Sequence, residues 1–175
     1  MPDKQLNGPC SNCPAKCCRN YSVSLTDIDL KELAKVANLD DSVELELAEG
    51  FDPKLAPSFV LNLDGQEKKY ILRLRRDRKE TCVFLGKNNF CTIYENRPRK
   101  CRTYPFVKTK LDDLELKDGA RCPVKWKMTV KMDNSFRQDI EEQTKEIEKF
   151  RKICEKWNRD KGEKTIERFF DFVIS

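Results

Sequence analysis

The 175-residue chain contains no histidine, and its six glycines stand alone at 8, 50, 65, 86, 119 and 162. Without histidine there is no imidazole for acid–base work near neutrality, and any zinc site must be built from cysteine alone. Isolated glycines give no Gly-x-Gly turn of the kind that cradles a nucleotide or an S-adenosylmethionine tail. No stretch approaches the roughly 20 apolar residues that cross a bilayer, so no membrane partner is expected. The opening Met-Pro-Asp-Lys-Gln-Leu-Asn-Gly also lacks the apolar run of a signal peptide. The expected location is cytoplasmic, where thiols stay reduced.

What the chain has instead is sulfur. Nine cysteines are present, four of them packed into Cys10, Cys13, Cys17 and Cys18. Thiolates are soft ligands that suit zinc, copper(I) and iron–sulfur clusters. A disulfide framework would leave one cysteine over, and a chain this long builds a core without staples. With 38% hydrophobic and 37% charged residues the expectation is a folded chain with a very polar surface. Its net charge of +5 is of the size that bound, metal-loaded thiolates would offset.

Periodicity sets out the elements. Thr26 as N-cap, with Asp27 and Asp29 in the first turn and Ile28, Leu33, Ala34 and Ala37 on one face, predicts a helix ending at Asn38. A second short helix is expected over Val43–Glu49, stopping at Gly50. Phe59, Leu61 and Leu63 alternate up to Asp64-Gly65, and Tyr70, Leu72 and Leu74 alternate after it, which reads as a β-hairpin. From Ser135, paired with Gln138 as a capping box, Phe136, Ile140, Gln143, Ile147, Phe150, Cys154 and Trp157 form one helical stripe of about 22 residues. Beyond Gly162, Ile166, Phe169, Phe170 and Val173 predict a last amphipathic helix. The expected fold is therefore α+β: a small, irregular cysteine-rich domain with a short antiparallel sheet over residues 1–132, and a C-terminal helical pair over 133–175.

The residues carrying the chemistry lie between. Cys10-x2-Cys13-x3-Cys17-Cys18 is followed by Cys82-x-Phe84-Leu85 and Cys91-Thr92-Ile93-Tyr94. Then come Arg97-Pro98-x2-Cys101-Arg102, Tyr104-Pro105-Phe106 and Cys122-Pro123. Together they resemble the YkgJ-type cysteine-cluster family, described as zinc- or iron-chelating domains, over about residues 10–123. That family extends to the flagellin lysine N-methylases, for which iron–sulfur binding has been proposed. The resemblance implies a metal set of Cys10, Cys13, Cys17, Cys18, Cys82, Cys91, Cys101 and Cys122, with Arg97 and Arg102 supporting the cofactor.

Ligand geometry leaves alternatives open. Cys10 and Cys13 form a two-spacer pair that converges on one metal, whereas the adjacent side chains of Cys17 and Cys18 are expected to diverge and to serve two metals or two irons. Eight ligands make two tetrahedral sites, or one cluster and a second metal site. The later cysteines, separated by 8, 9 and 20 residues, lack the paired knuckles of a zinc ribbon and fit a cluster gathered from several loops. Iron–sulfur is the favoured cofactor and zinc the alternative. An electron-transfer protein, a metal-dependent enzyme of methylase type and a zinc-stabilised interaction module all remain consistent, with an unidentified protein or redox partner.

Other residues have structural readings. Cys154 sits on the apolar helical stripe and is expected to be a core thiol. Tyr94, Tyr104 and Phe106 read as packing around the metal, and Arg99 as solvated surface. In the run Arg73, Arg75, Arg76, Arg78 and Lys79, alternation puts Arg73 and Arg75 on a sheet face opposite Tyr70, Leu72 and Leu74. No nucleic-acid motif accompanies these charges, so nucleic acid is not expected as a partner.

Overall fold

The computed structural model describes residues 13–174; Cys10 lies outside them. A short helix α1 (Lys16–Asn20) leads to α2 (Asp27–Ala34) and α3 (Leu39–Ser42). The strands β1 (Val43–Leu47), β2 (Phe59–Leu63) and β3 (Gln66–Leu74) follow. A 3-10 turn at Tyr94–Asn96 precedes α4 (Arg99–Thr103), a two-stranded hairpin β4 (Phe106–Lys108) and β5 (Leu114–Leu116), and finally α5 (Val130–Arg159) and α6 (Ile166–Ile174). The α+β expectation, with its short antiparallel sheet and C-terminal helical pair, describes this architecture.

β3 is the central strand of an antiparallel sheet ordered β1-β3-β2. The hairpin β2–β3 turns at Asp64 (φ 53°) and Gly65 (φ 76°), the two consecutive left-handed residues that an Asp-Gly turn supplies. The register pairs Val43 with Leu74, Leu45 with Leu72 and Phe59 with Tyr70, so these side chains share one face. That face meets the C-terminal helices: Phe59 stacks on Phe169 with centroids 3.7 Å apart, and Trp157 Nε1 donates to the Val60 carbonyl at 2.7 Å. Leu30, Leu33, Phe150, Cys154 and Val173 complete this core.

Several sequence expectations are corrected. Val43–Leu47 is a strand, not a helix: Glu44 and Glu46 on its second face both bind Arg73 of β3 (2.9 and 3.1 Å), and pairing along β3 outweighs local helix preference. Thr26 does cap α2, reciprocally with Asp29. The buried face, however, is Leu30 and Leu33, with Ala34 exposed. Asn38 does not end that helix; its side chain caps α3 by accepting from Asp40 N at 2.8 Å. α5 begins at Val130, capped by Thr129, so Ser135 is already one turn inside and the helix runs 30 residues. The buried stripe Ile147, Phe150, Cys154 and Trp157 is as expected.

Candidate metal centre

Four segments bring cysteines together. Ala15, in the left-handed region (φ 54°), turns the chain into α1, which carries Cys17 and Cys18. The Cys18 carbonyl accepts from Cys82 N at 2.9 Å, joining α1 to the loop after β3. That loop folds back through Gly86 N to the Phe90 carbonyl (2.7 Å) and Thr92 N to the Phe84 carbonyl (2.9 Å), which returns the chain at Cys91. Gly86 is required there: a Cβ would sit 3.1 Å from the Phe90 oxygen and 3.3 Å from Thr92 Cγ2. Pro98, whose ring presets φ near the helical value, opens α4 and accepts from Cys101 N at 2.8 Å. The Cys122 segment is held by its neighbour Arg121, which donates from its backbone to Tyr104 Oη and from its side chain to Asn20 Oδ1, both at 2.8 Å.

The result is one cavity of about 1000 Å³ whose wall includes Cys13, Cys17, Cys18, Cys82, Cys91, Cys101 and Cys122. Seven of the eight sequence-predicted ligands thus share a space, and the eighth, Cys10, lies outside the described residues. All eight described cysteines are free thiols. Cys154 is the exception in position, 1% exposed in the core beside Phe150 and Trp157. Among the described residues no three Cys, Asp or Glu side chains converge tightly enough to hold one ion.

Cys17 and Cys18 do not diverge as expected. Their sulfurs are 3.8 Å apart. Two thiolates at ~2.3 Å from one tetrahedral metal are separated by about that distance. The turn of α1 aims both sulfurs to the same side. The donor set fits a soft metal group on its chemistry: thiols from several elements face one enclosed, mostly apolar space.

Electrostatics tie the cysteines to one another. A hydrogen bond from Cys18 holds the Cys17 thiol down at about 6 against its burial, with backbone N–H groups and Arg97 assisting, while the donor Cys18 is pushed up. Burial raises Cys82, Cys91 and Cys101, and Cys101 is raised further by the charges of Cys82, Cys91 and Cys17. Arg97 favours the thiolate form of Cys17, Cys91 and Cys101.

The two arginines of the motif part company. Arg97 lines the cysteine cavity, its guanidinium 3.8 Å above the Tyr94 ring, and its Nε is buried without a hydrogen-bond partner. Arg102 lines a separate small cleft with Glu32 and Glu146, and its Nε donates to the Arg97 carbonyl at 3.3 Å. Arg99 is not solvated surface: it makes three bonds of 2.8–3.0 Å to Glu146 and one of 2.8 Å to Asp139 on α5. Tyr94, Tyr104 and Phe106 line the cavity wall. The basic run is internally compensated. Arg73 binds Glu44 and Glu46, Arg75 donates to the Asp40 and Val43 carbonyls, and Arg76 pairs with Glu80 at 3.4 Å. Lys100, which periodicity does not distinguish from its basic neighbours, also reaches the cavity; only the packing of α4 reveals it.

These features define a cysteine-lined chelating domain. The chain matches the CxxCxxCC family model, described as "Putative zinc- or iron-chelating domain", over residues 9–155, and it belongs to that family. It carries the motif with three residues, Pro14, Ala15 and Lys16, between its second and third cysteines. No solved structure matches the chain. Among the described residues, no helix is long and apolar enough to cross a membrane.

Proposed function

We propose that this chelating domain holds an iron–sulfur cluster on its cavity cysteines and serves in electron transfer with a protein redox partner in the cytoplasm. The observation that carries the reading is seven cysteines around one cavity without three of them close enough for a single ion. A polynuclear group bridges dispersed thiolates that one ion does not reach. When bound, such a cluster supplies one-electron chemistry. Cys17, Cys18, Cys82, Cys91, Cys101 and Cys122 offer the thiolates, with Cys13 and Cys10 on the preceding segment. Arg97 offsets their negative charge and has a free Nε–H to donate to sulfur. Phe84, Ile93 and Phe106 at the wall keep water from the sulfurs.

A second reading, zinc in a closed four-thiolate site, is favoured by the Cys17–Cys18 separation of 3.8 Å, the edge of a tetrahedral thiolate site. Metal and acid-labile sulfide analysis of anaerobically purified protein, with its visible spectrum, separates the two. Brown protein with sulfide matching iron is expected. Colourless protein carrying zinc and no sulfide reverses the order.

A further inference from the structure

The cavity is larger than its cysteines need, and its wall reaches α5, whose one cysteine is buried elsewhere. Ile140 and Ile147 of α5, with Leu55, Phe106 and Trp126, give it an apolar arm. At about 1000 Å³ the whole space is at the upper end of small-molecule sites. One cation on its wall lacks an anionic partner. Lys100 Nζ bonds to Ser24 Oγ and, at 2.6 Å, to the Leu55 carbonyl, both neutral oxygens, leaving one of three ammonium protons unassigned. The carboxylates on the wall are engaged elsewhere: Glu141 binds Lys108 at 3.1 Å, and Asp52 accepts from Lys54 N at 2.8 Å.

A partly buried ammonium on an apolar wall is costly unless an anion meets it. We propose that the apolar arm binds a small amphipathic carboxylate, its chain against Ile140, Phe106 and Trp126 and its head on Lys100, next to the thiolate centre. The apolar lining selects a hydrocarbon body and the ammonium selects the charge of the head. The inference stands on the cavity and on Lys100, whatever metal the cysteines hold.

Decanoate, 1-decanol and decyltrimethylammonium are titrated into the purified full chain by calorimetry, with Trp126 emission followed in parallel. Decanoate is expected to bind saturably at one per chain, at least tenfold more tightly than the alcohol, with no binding of the cation. Lys100→Met should weaken decanoate at least tenfold. Ile140→Trp, which fills the arm away from every cysteine, should abolish binding while metal content and circular dichroism stay unchanged. Decanoate that fails to bind, binds no better than decanol, or binds Ile140→Trp as it binds the native chain overturns the site. If Lys100→Met loses metal and still binds decanoate normally, Lys100 only balances the thiolates and the proposal fails. A chain that carries no cluster yet binds decanoate in this pattern sinks the electron-transfer reading and leaves the ligand site standing.

Discussion

Cys154 and Cys122 are chemically the same residue in opposite surroundings. Cys154, 1% exposed among Phe150 and Trp157, has its thiol pushed well up by burial, the state of an inert packing group. Cys122 sits on the cavity wall in a segment tethered through Arg121 to Tyr104 and Asn20. Cys154→Ala is therefore expected to keep its full metal complement and to lose about 1 kcal/mol of packing. Cys122→Ala is expected to lose metal. Metal stoichiometry and urea midpoints of the two variants check both statements, and metal loss from the Cys154 variant would show the ligand set to be misassigned.

At the scale of elements, α4 is the piece that most needs help. Five residues form no stable helix alone, yet α4 must present Cys101 to the cavity. Two contacts hold it. Arg99 N donates to Asp29 Oδ1 at 3.3 Å, so the carboxylate that caps α2 also anchors the start of α4. The Arg99 side chain and Thr103 Oγ1 bind α5 through Glu146, Asp139 and Gln143. Removing the guanidinium strands two partly buried carboxylates. Arg99→Ala should cost roughly 1–3 kcal/mol and lower metal content with it. Arg99→Lys should recover only part, since one ammonium does not reproduce the forked contact. Equal metal content in all three proteins would dissociate α4 from the site.

For the whole molecule, the buried thiols set a pH limit on the metal-free state. Burial raises Cys82, Cys91 and Cys101 above the ordinary thiol value. A group whose pKa is higher folded than unfolded contributes stability that is complete below its unfolded pKa, ~8.5 for cysteine, and is lost as pH rises towards the folded value. Chelated protein should therefore lose urea resistance between pH 8 and 10. Metal-loaded protein should not, because its bound sulfurs are already deprotonated. Parallel urea curves for the two forms across that range test this, and equal pH dependence would argue that the thiols do not hold the metal.

Short-range pattern determined a good deal by itself. Asp64-Gly65 is legible as a hairpin turn because few other pairs adopt consecutive left-handed residues cheaply, and Thr26 with Asp29 is legible as a cap because both partners lie within four residues. The C-terminal stripe is legible because one long apolar face has one reading, and the cysteine motifs because their order and spacing are specific. Tertiary structure decided the rest. Val43–Leu47 became a strand because β3 offers it Arg73 and a free edge, a partner nearly 30 positions away. Cys17 and Cys18 came to point the same way because Ala15 sets the start of α1 at a left-handed residue. Arg97 and Arg102, alike in the motif, fell on different sides of α4, and Lys100 between them reached the cavity. Spacing names which residues are chemically able to act; only packing from distant segments places their side chains in one space, since that depends on contacts no local window contains.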